Sequence, residues 1–128
     1  MKELIVSLTA QKQDRSYPIL VEEGLLTSCG EVIAAQLPAR RAAIVTDSNV
    51  GPLYAATVEA SLQKAGFAVK TVTIPAGEKS KSLETLRQIY HELLAEEPIA
   101  VSRTDLIVAL GGGVVGDVAG FAAATLLR

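Results

Sequence analysis

From Arg41 onward the apolar residues change period in strict alternation, and this constrains the fold more than any other feature. "RAAIVTD" (41–47) is a short buried run ending in a polar turn, "DSNVG". "PLYAATVEASLQKAG" (52–66) has helical spacing, with Pro52 suited to a first turn and Gly66 as the stop. "AVKTVTI" (68–74) is again a strand and "PAGEKSKS" (75–82) a loop. "LETLRQIYHELLAE" (83–96) places Leu83, Leu86, Tyr90, Leu93 and Leu94 on one helical face. "DLIVAL" (105–110) is apolar on both sides, as a central parallel strand is, and the glycines that follow lead into a last helix, "VVGDVAGFAAATLLR" (114–128). Strand, helix, strand, helix, strand, helix predicts an α/β fold: a Rossmann-like parallel sheet flanked by helices.

Before Arg41, "LIVSLT" and "YPILVEE" predict two strands of an N-terminal β-hairpin joined by "QKQDRS". "GLLTSCGEVIAAQL" (24–37) predicts a helix closed by Pro38, and "EEPIAVSRTD" (96–105) an exposed connection inside one domain spanning 1–128.

Composition removes several function classes. The net charge of −2, with no basic block, excludes a nucleic-acid surface. Leu106–Arg128 is long enough to span a bilayer, but its triple glycine breaks the helix near its start, Asp117 would sit near mid-membrane, and no basic flank precedes it. The start, "MKELIVSLTAQKQDR", has too short an apolar run and no small-residue cleavage site, so a signal peptide is not expected there. One cysteine, Cys29, precludes an internal disulfide and fits the cytoplasm. Cys29 and the one histidine, His91, are far apart and lack ligand spacing, so no metal site is expected in this chain.

Ligands of open parallel sheets bind beyond the carboxyl ends of the strands. Three such ends, Thr46–Asn49, Pro75–Ser82 and Gly111–Asp117, should open on one edge. Gly111, Gly113 and Gly116 fit G-x-G-x-x-G between a strand and a helix. Residues without Cβ let the backbone approach a diphosphate, and the helix start offers free N–H groups. The motif follows a late strand, so it is no ordinary dinucleotide fingerprint. The plainer account is a tight turn, with Gly116 and Gly120 chosen for close helix packing. Asp117 suits the first turn of the helix, where the dipole favours it, or a ribose or nicotinamide group. Asp47 suits an Asx turn or helix cap, or sugar hydroxyls. Glu78 with Lys79 and Lys81 suits a solvated loop, or a carboxylate for ribose and an ammonium for phosphate. Acids without an arginine pocket favour NAD over NADP.

"GGGVVGDVAGF", "VTDSNVGPLY" and "PAGEKSKSLETL", with "RSYPILVEEGLL" near the start, together resemble the 3-dehydroquinate synthases. The resemblance runs from about residue 4 to Arg128. It implies an NAD-dependent carbon–oxygen lyase of the shikimate pathway, which converts 3-deoxy-D-arabino-heptulosonate 7-phosphate to 3-dehydroquinate and phosphate. It implies cofactor contacts by Asp47, Asn49, Glu78, Lys81, Gly112, Gly113, Val114 and Asp117. It further implies a homodimer in which Arg128 reaches the phosphorylated sugar acid in the neighbouring subunit's site; the plainer account of Arg128 is a helix-end cation. Lys79, Ser80 and Leu126 depart from the family's usual residues. In the family a following helical domain supplies the ligands of a divalent metal, zinc or cobalt, so the resemblance implies an N-terminal fragment that binds cofactor at best. Inosose and valiolone synthases and metal-dependent polyol dehydrogenases are the enzyme alternatives, and a non-enzymatic nucleotide-binding or interaction domain is the alternative of another class.

Overall fold

The computed structural model describes residues 1–8 and 16–126. Strands β1 (Lys2–Val6) and β2 (Tyr17–Val21) pair antiparallel, with Val6 opposite Tyr17 and Lys2 opposite Val21. The expected hairpin is therefore present; its connecting turn lies outside the described residues. The predicted helix over 24–37 divides in two. Gly24 turns left-handed at φ 74°, a 3-10 turn covers Leu25–Ser28, and helix α1 covers Cys29–Gln36.

The alternating part then follows: β3 (Arg41–Asp47), α2 (Gly51–Lys64), β4 (Ala68–Ile74), a 3-10 turn at Glu78–Ser80, α3 (Leu83–Leu94), β5 (Leu106–Leu110) and α4 (Gly113–Thr125). The three strands are parallel in the order β4-β3-β5. Ala42, Ala43, Ile44, Val45 and Thr46 of β3 are all completely buried, because β3 alone has a strand on each side and helices on both faces. Among the described residues β5 is an edge strand, not the central one that its composition predicted.

The helices divide between the two faces. Ala42 and Ile44 pack with Val58, Leu62 and Phe67 on the α1–α2 side. Ala43, Val45, Val72 and Ile74 pack with Ile89, Leu93, Val115, Val118, Ala119 and Ala122 on the α3–α4 side. Each such valine, leucine, isoleucine or phenylalanine contributes about 1.5–3 kcal/mol by leaving water. The buried stripe of α3 runs through Thr85, Ile89 and Leu93, flanked by Leu86 and Tyr90. Leu83 and Leu94, expected on that stripe, are exposed at 83% and 45%, being the first and last residues of the helix. Ser82 caps α3 by accepting from Thr85 N–H at 3.2 Å. At the other end buried Lys70 of β4 donates to the carbonyls of Glu92 and Ala95 at 2.5 and 2.9 Å, and burial lowers its pKa against the opposing pull of Glu92.

Two close approaches explain two glycines. A Cβ on Gly30 of α1 would lie 2.2 Å from the Ser61 carbonyl oxygen of α2, and Gly30 N–H donates to Ser61 Oγ at 2.8 Å. The two helices thus touch backbone to backbone. A Cβ on Gly111 would meet Val115 Cγ2 at 2.8 Å. Among the described residues no helix is long and apolar enough to cross a membrane.

Candidate functional site at the carboxyl ends of the strands

Because the strands are parallel, their carboxyl ends share one edge, as expected. The chain leaves β3 towards β4 on one side and later returns past β3 to β5 on the other. The crevice between the ends of β3 and β5 is therefore the topological switch point, where open α/β sheets bind ligands. The Asp47–Val50 turn lies on one side of it and the Gly111–Gly113 turn on the other.

On the first side, Asp47 Oδ1 accepts from Asn49 N–H at 2.9 Å and Val50 N–H at 2.8 Å. This is the Asx turn of the plainer account, and among the described residues it leaves the second carboxylate oxygen without a partner. Asn49 is exposed beside it. On the other side, Gly112 caps α4 with no side-chain bond, and the first intrahelical bond is Gly116 N–H to Gly112 carbonyl at 3.0 Å. The amides of Gly113, Val114 and Val115 precede that bond and point out of the helix start. A Cβ at Gly112, Gly113, Gly116 or Gly120 would meet nothing within 4 Å. Among the described residues nothing packs closely against Gly116 or Gly120, so these give the packing account no support.

The third strand end joins them. Gly77, at φ 111° and ψ 167°, takes a conformation that side chains disfavour and starts the Glu78–Ser80 turn. Ser80 is buried, and its hydroxyl donates to the Pro75 carbonyl, closing the loop on itself. That fold turns Lys81 outward between two acids, 2.9 Å from Asp117 and 3.3 Å from Glu78. The hydrogen bond to Asp117 and then that to Glu78 raise the pKa of Lys81 above the ordinary lysine value. Glu78 and Lys81, named together from the sequence, thus form one ion-paired group with Asp117, named apart from them.

Asp117 is not in the first turn of α4. The helix begins at Gly113, which puts Asp117 one turn further in and beside Lys81, so a lysine and not the helix dipole compensates it. Gly113 and Asp117 are four residues apart and share a face. Asp117, with which Lys81 pairs, consequently lies about one helical turn from Gly113, ~6 Å along the axis at 1.5 Å per residue. Beyond the pair, Lys81, Leu83, Leu86, Val118 and Phe121 line a mostly apolar cleft of about 350 Å³ between α3 and α4.

Two braces were not singled out in the sequence. Ser48 N–H donates to the Ile74 carbonyl and Ser48 Oγ accepts from Ala76 N–H, both at 3.0 Å, tying the ends of β3 and β4. Thr46 Oγ1 donates to the Leu110 carbonyl at 2.8 Å, tying the ends of β3 and β5. The available signal was a hydroxyl residue following the apolar run of a strand, "AAIVT". Lys79 is exposed and outside the ion-paired group. Arg128 lies outside the described residues. Among those described, no group of three or more His, Cys, Asp or Glu could hold a metal ion.

The family model described as 3-dehydroquinate synthase N-terminal matches residues 71–128. Over all 128 residues the chain is 46% identical to the 3-dehydroquinate synthase of Latilactobacillus sakei subsp. sakei (strain 23K), covering 34% of that protein. The chain is thus similar to 3-dehydroquinate synthases over its whole length. The family's Symbiobacterium thermophilum member is 48% identical over 116 residues, 90% of this chain and 32% of the relative. The chain thus spans about a third of the length of these 3-dehydroquinate synthases. Among solved structures, 2-deoxy-scyllo-inosose synthase complexed with carbaglucose-6-phosphate, NAD+ and Co2+ matches with a TM-score of 0.79 over 98% of this chain and 32% of that one. At 23% identity that likeness speaks to the fold alone. The 2-epi-5-epi-valiolone synthase from Streptomyces hygroscopicus subsp. jinggangensis 5008, with NAD+ and Zn2+ bound, matches with a TM-score of 0.69 and 30% identity over 90% of this chain and 31% of that one.

Proposed function

We propose that residues 1–128 form the NAD-binding domain of a 3-dehydroquinate synthase. The whole enzyme is a cytoplasmic homodimer that converts 3-deoxy-D-arabino-heptulosonate 7-phosphate to 3-dehydroquinate and phosphate. The observation that carries the cofactor reading is the uncapped start of α4 at the switch point, with open space at Gly113 and Lys81 paired to Asp117 one turn further along the helix. Free amides and a cation suit a diphosphate. Asp47 and Asn49 on the opposite wall suit sugar hydroxyls; Gly112, Gly113 and Val114 approach the diphosphate; Glu78, Lys81 and Asp117 hold the far end. NAD, when bound, supplies a hydride acceptor that returns the hydride within one turnover. The divalent metal, zinc or cobalt, belongs to the part of the relatives that this chain does not span, and Arg128 serves the substrate phosphate in the partner subunit.

Calorimetric titration with NAD, ADP-ribose and ATP tests the reading. NAD and ADP-ribose should bind, since both carry the diphosphate and the second ribose. A chain that binds ATP alone, or none of the three, would be a different nucleotide-binding or interaction domain.

A further inference from the structure

Thr46 is completely buried and follows four buried aliphatic residues of β3, Ala42–Val45, yet it keeps a hydroxyl. A buried hydroxyl has to find a partner, and this one donates to the Leu110 carbonyl at 2.8 Å. Leu110 is the last residue of β5, and the pairing of β3 with β5 ends at Thr46 opposite Leu110. Past that pair no strand ladder holds the chain, and the next three residues are the glycines. The methyl group of the same side chain faces the other way: Thr46 Cγ2 lies 3.2 Å from where a Cβ on Gly51 would be, at the first residue of α2. One side chain therefore spans from the start of α2 to the start of the glycine turn, directly beneath the crevice.

We propose that Thr46 is a positioning residue for the cofactor: its hydroxyl fixes the Leu110 carbonyl, and through it the distance of the Gly111–Gly113 turn from the Asp47–Val50 turn across which the dinucleotide lies. The proposal rests on the NAD reading above. The hydroxyl and the methyl have separable tasks. The hydroxyl holds the glycine turn, and the methyl packs against the helix start.

Two variants of the chain separate them. Thr46→Val keeps the shape and the methyl contact but removes the donor; Thr46→Ser keeps the donor and removes the methyl. Thr46→Val should melt a few degrees below the parent, the Leu110 carbonyl losing its donor, and should lose about tenfold in NAD and ADP-ribose affinity, as expected when one buried hydrogen bond no longer holds the turn. Its amide exchange at Gly111–Val115 should quicken without ligand. Thr46→Ser should melt lower yet bind NAD within about threefold of the parent, one methyl contact being a stability matter only. Affinity that follows melting temperature in both variants would overturn the proposal, as would unchanged exchange at Gly111–Val115 in Thr46→Val. A parent chain that binds no NAD, with exchange still quickened in Thr46→Val, would defeat the cofactor reading and leave the hold on the turn standing.

Discussion

Gly111 and Gly113 stand two residues apart and answer to different neighbours. A side chain on Gly111 meets Val115 of the same chain, whereas one on Gly113 meets nothing. Substitution at Gly111 therefore acts on folding, while substitution at Gly113 acts on whatever occupies the open space. Gly113→Val should leave the melting temperature within a few degrees of the parent and lower NAD affinity by at least tenfold, the valine standing where the diphosphate belongs. Unchanged NAD affinity in the folded variant would remove the diphosphate from the helix start. Lys81 supplies a pH-dependent counterpart. Its pKa is raised in the folded chain, first by Asp117 and then by Glu78, so its pairing contributes fully below the unfolded value and is lost as pH rises through the folded one. In an NMR titration Lys81 should deprotonate above the ordinary lysine value. Asp117→Asn should bring the midpoint down, and added salt should narrow the difference because the pair is exposed. A midpoint unmoved by Asp117→Asn would mean that the pair does not form in solution. The pairing with Asp117 was not legible in the sequence. Lys81 and Asp117 are 36 positions apart, and only the burial of Ser80, which turns the loop, aims one at the other.

At the scale of elements, the sequence speaks through burial and stays silent about edges. The apolar run of β5 was legible because helices cover both its faces: Ile107 packs on the α3–α4 side, Leu106, Val108 and Leu110 on the α1–α2 side. That run was mistaken for a central strand because strand pairing uses backbone groups, which every residue carries. The ends of α3 were misjudged for a related reason. Leu83 and Leu94 match the helical period but sit where the helix begins and ends, beyond the reach of the sheet. Gly30 is the opposite case, a helix-weakening residue inside a helical pattern, and its explanation is the backbone of another helix. Gly30→Ala should improve local helix propensity yet destabilise the chain by about 3 kcal/mol, because the new methyl has to displace the α2 backbone at Ser61. Denaturant unfolding with an unchanged slope measures it; a neutral or stabilised variant would show that the α1–α2 contact is looser than 2.2 Å implies.

For the whole molecule, the alternation read from Arg41 onward predicted the parallel sheet, the helices on both faces and the shared edge of the three loops. The relation of the hairpin to that sheet was not legible, since two strands next to each other in sequence pair wherever the rest of the chain leaves them. β1 and β2 form a sheet of their own, and Pro18 and Leu20 face Val32 and Ile33 of α1 across a gap of about 420 Å³. The other face shows Leu4, Tyr17, Ile19 and Val21 to solvent. An isolated two-stranded sheet is marginal in water, and elements with few buried contacts open far more often than the core. The chain should accordingly keep two clocks. Amide protons of Ile5 and Ile19 should be replaced by deuterium orders of magnitude sooner than those of Ile44 and Val45, whose release waits for the α/β unit to unfold as a whole. Equal exchange times in the two regions would mean that the hairpin and the α/β unit unfold together.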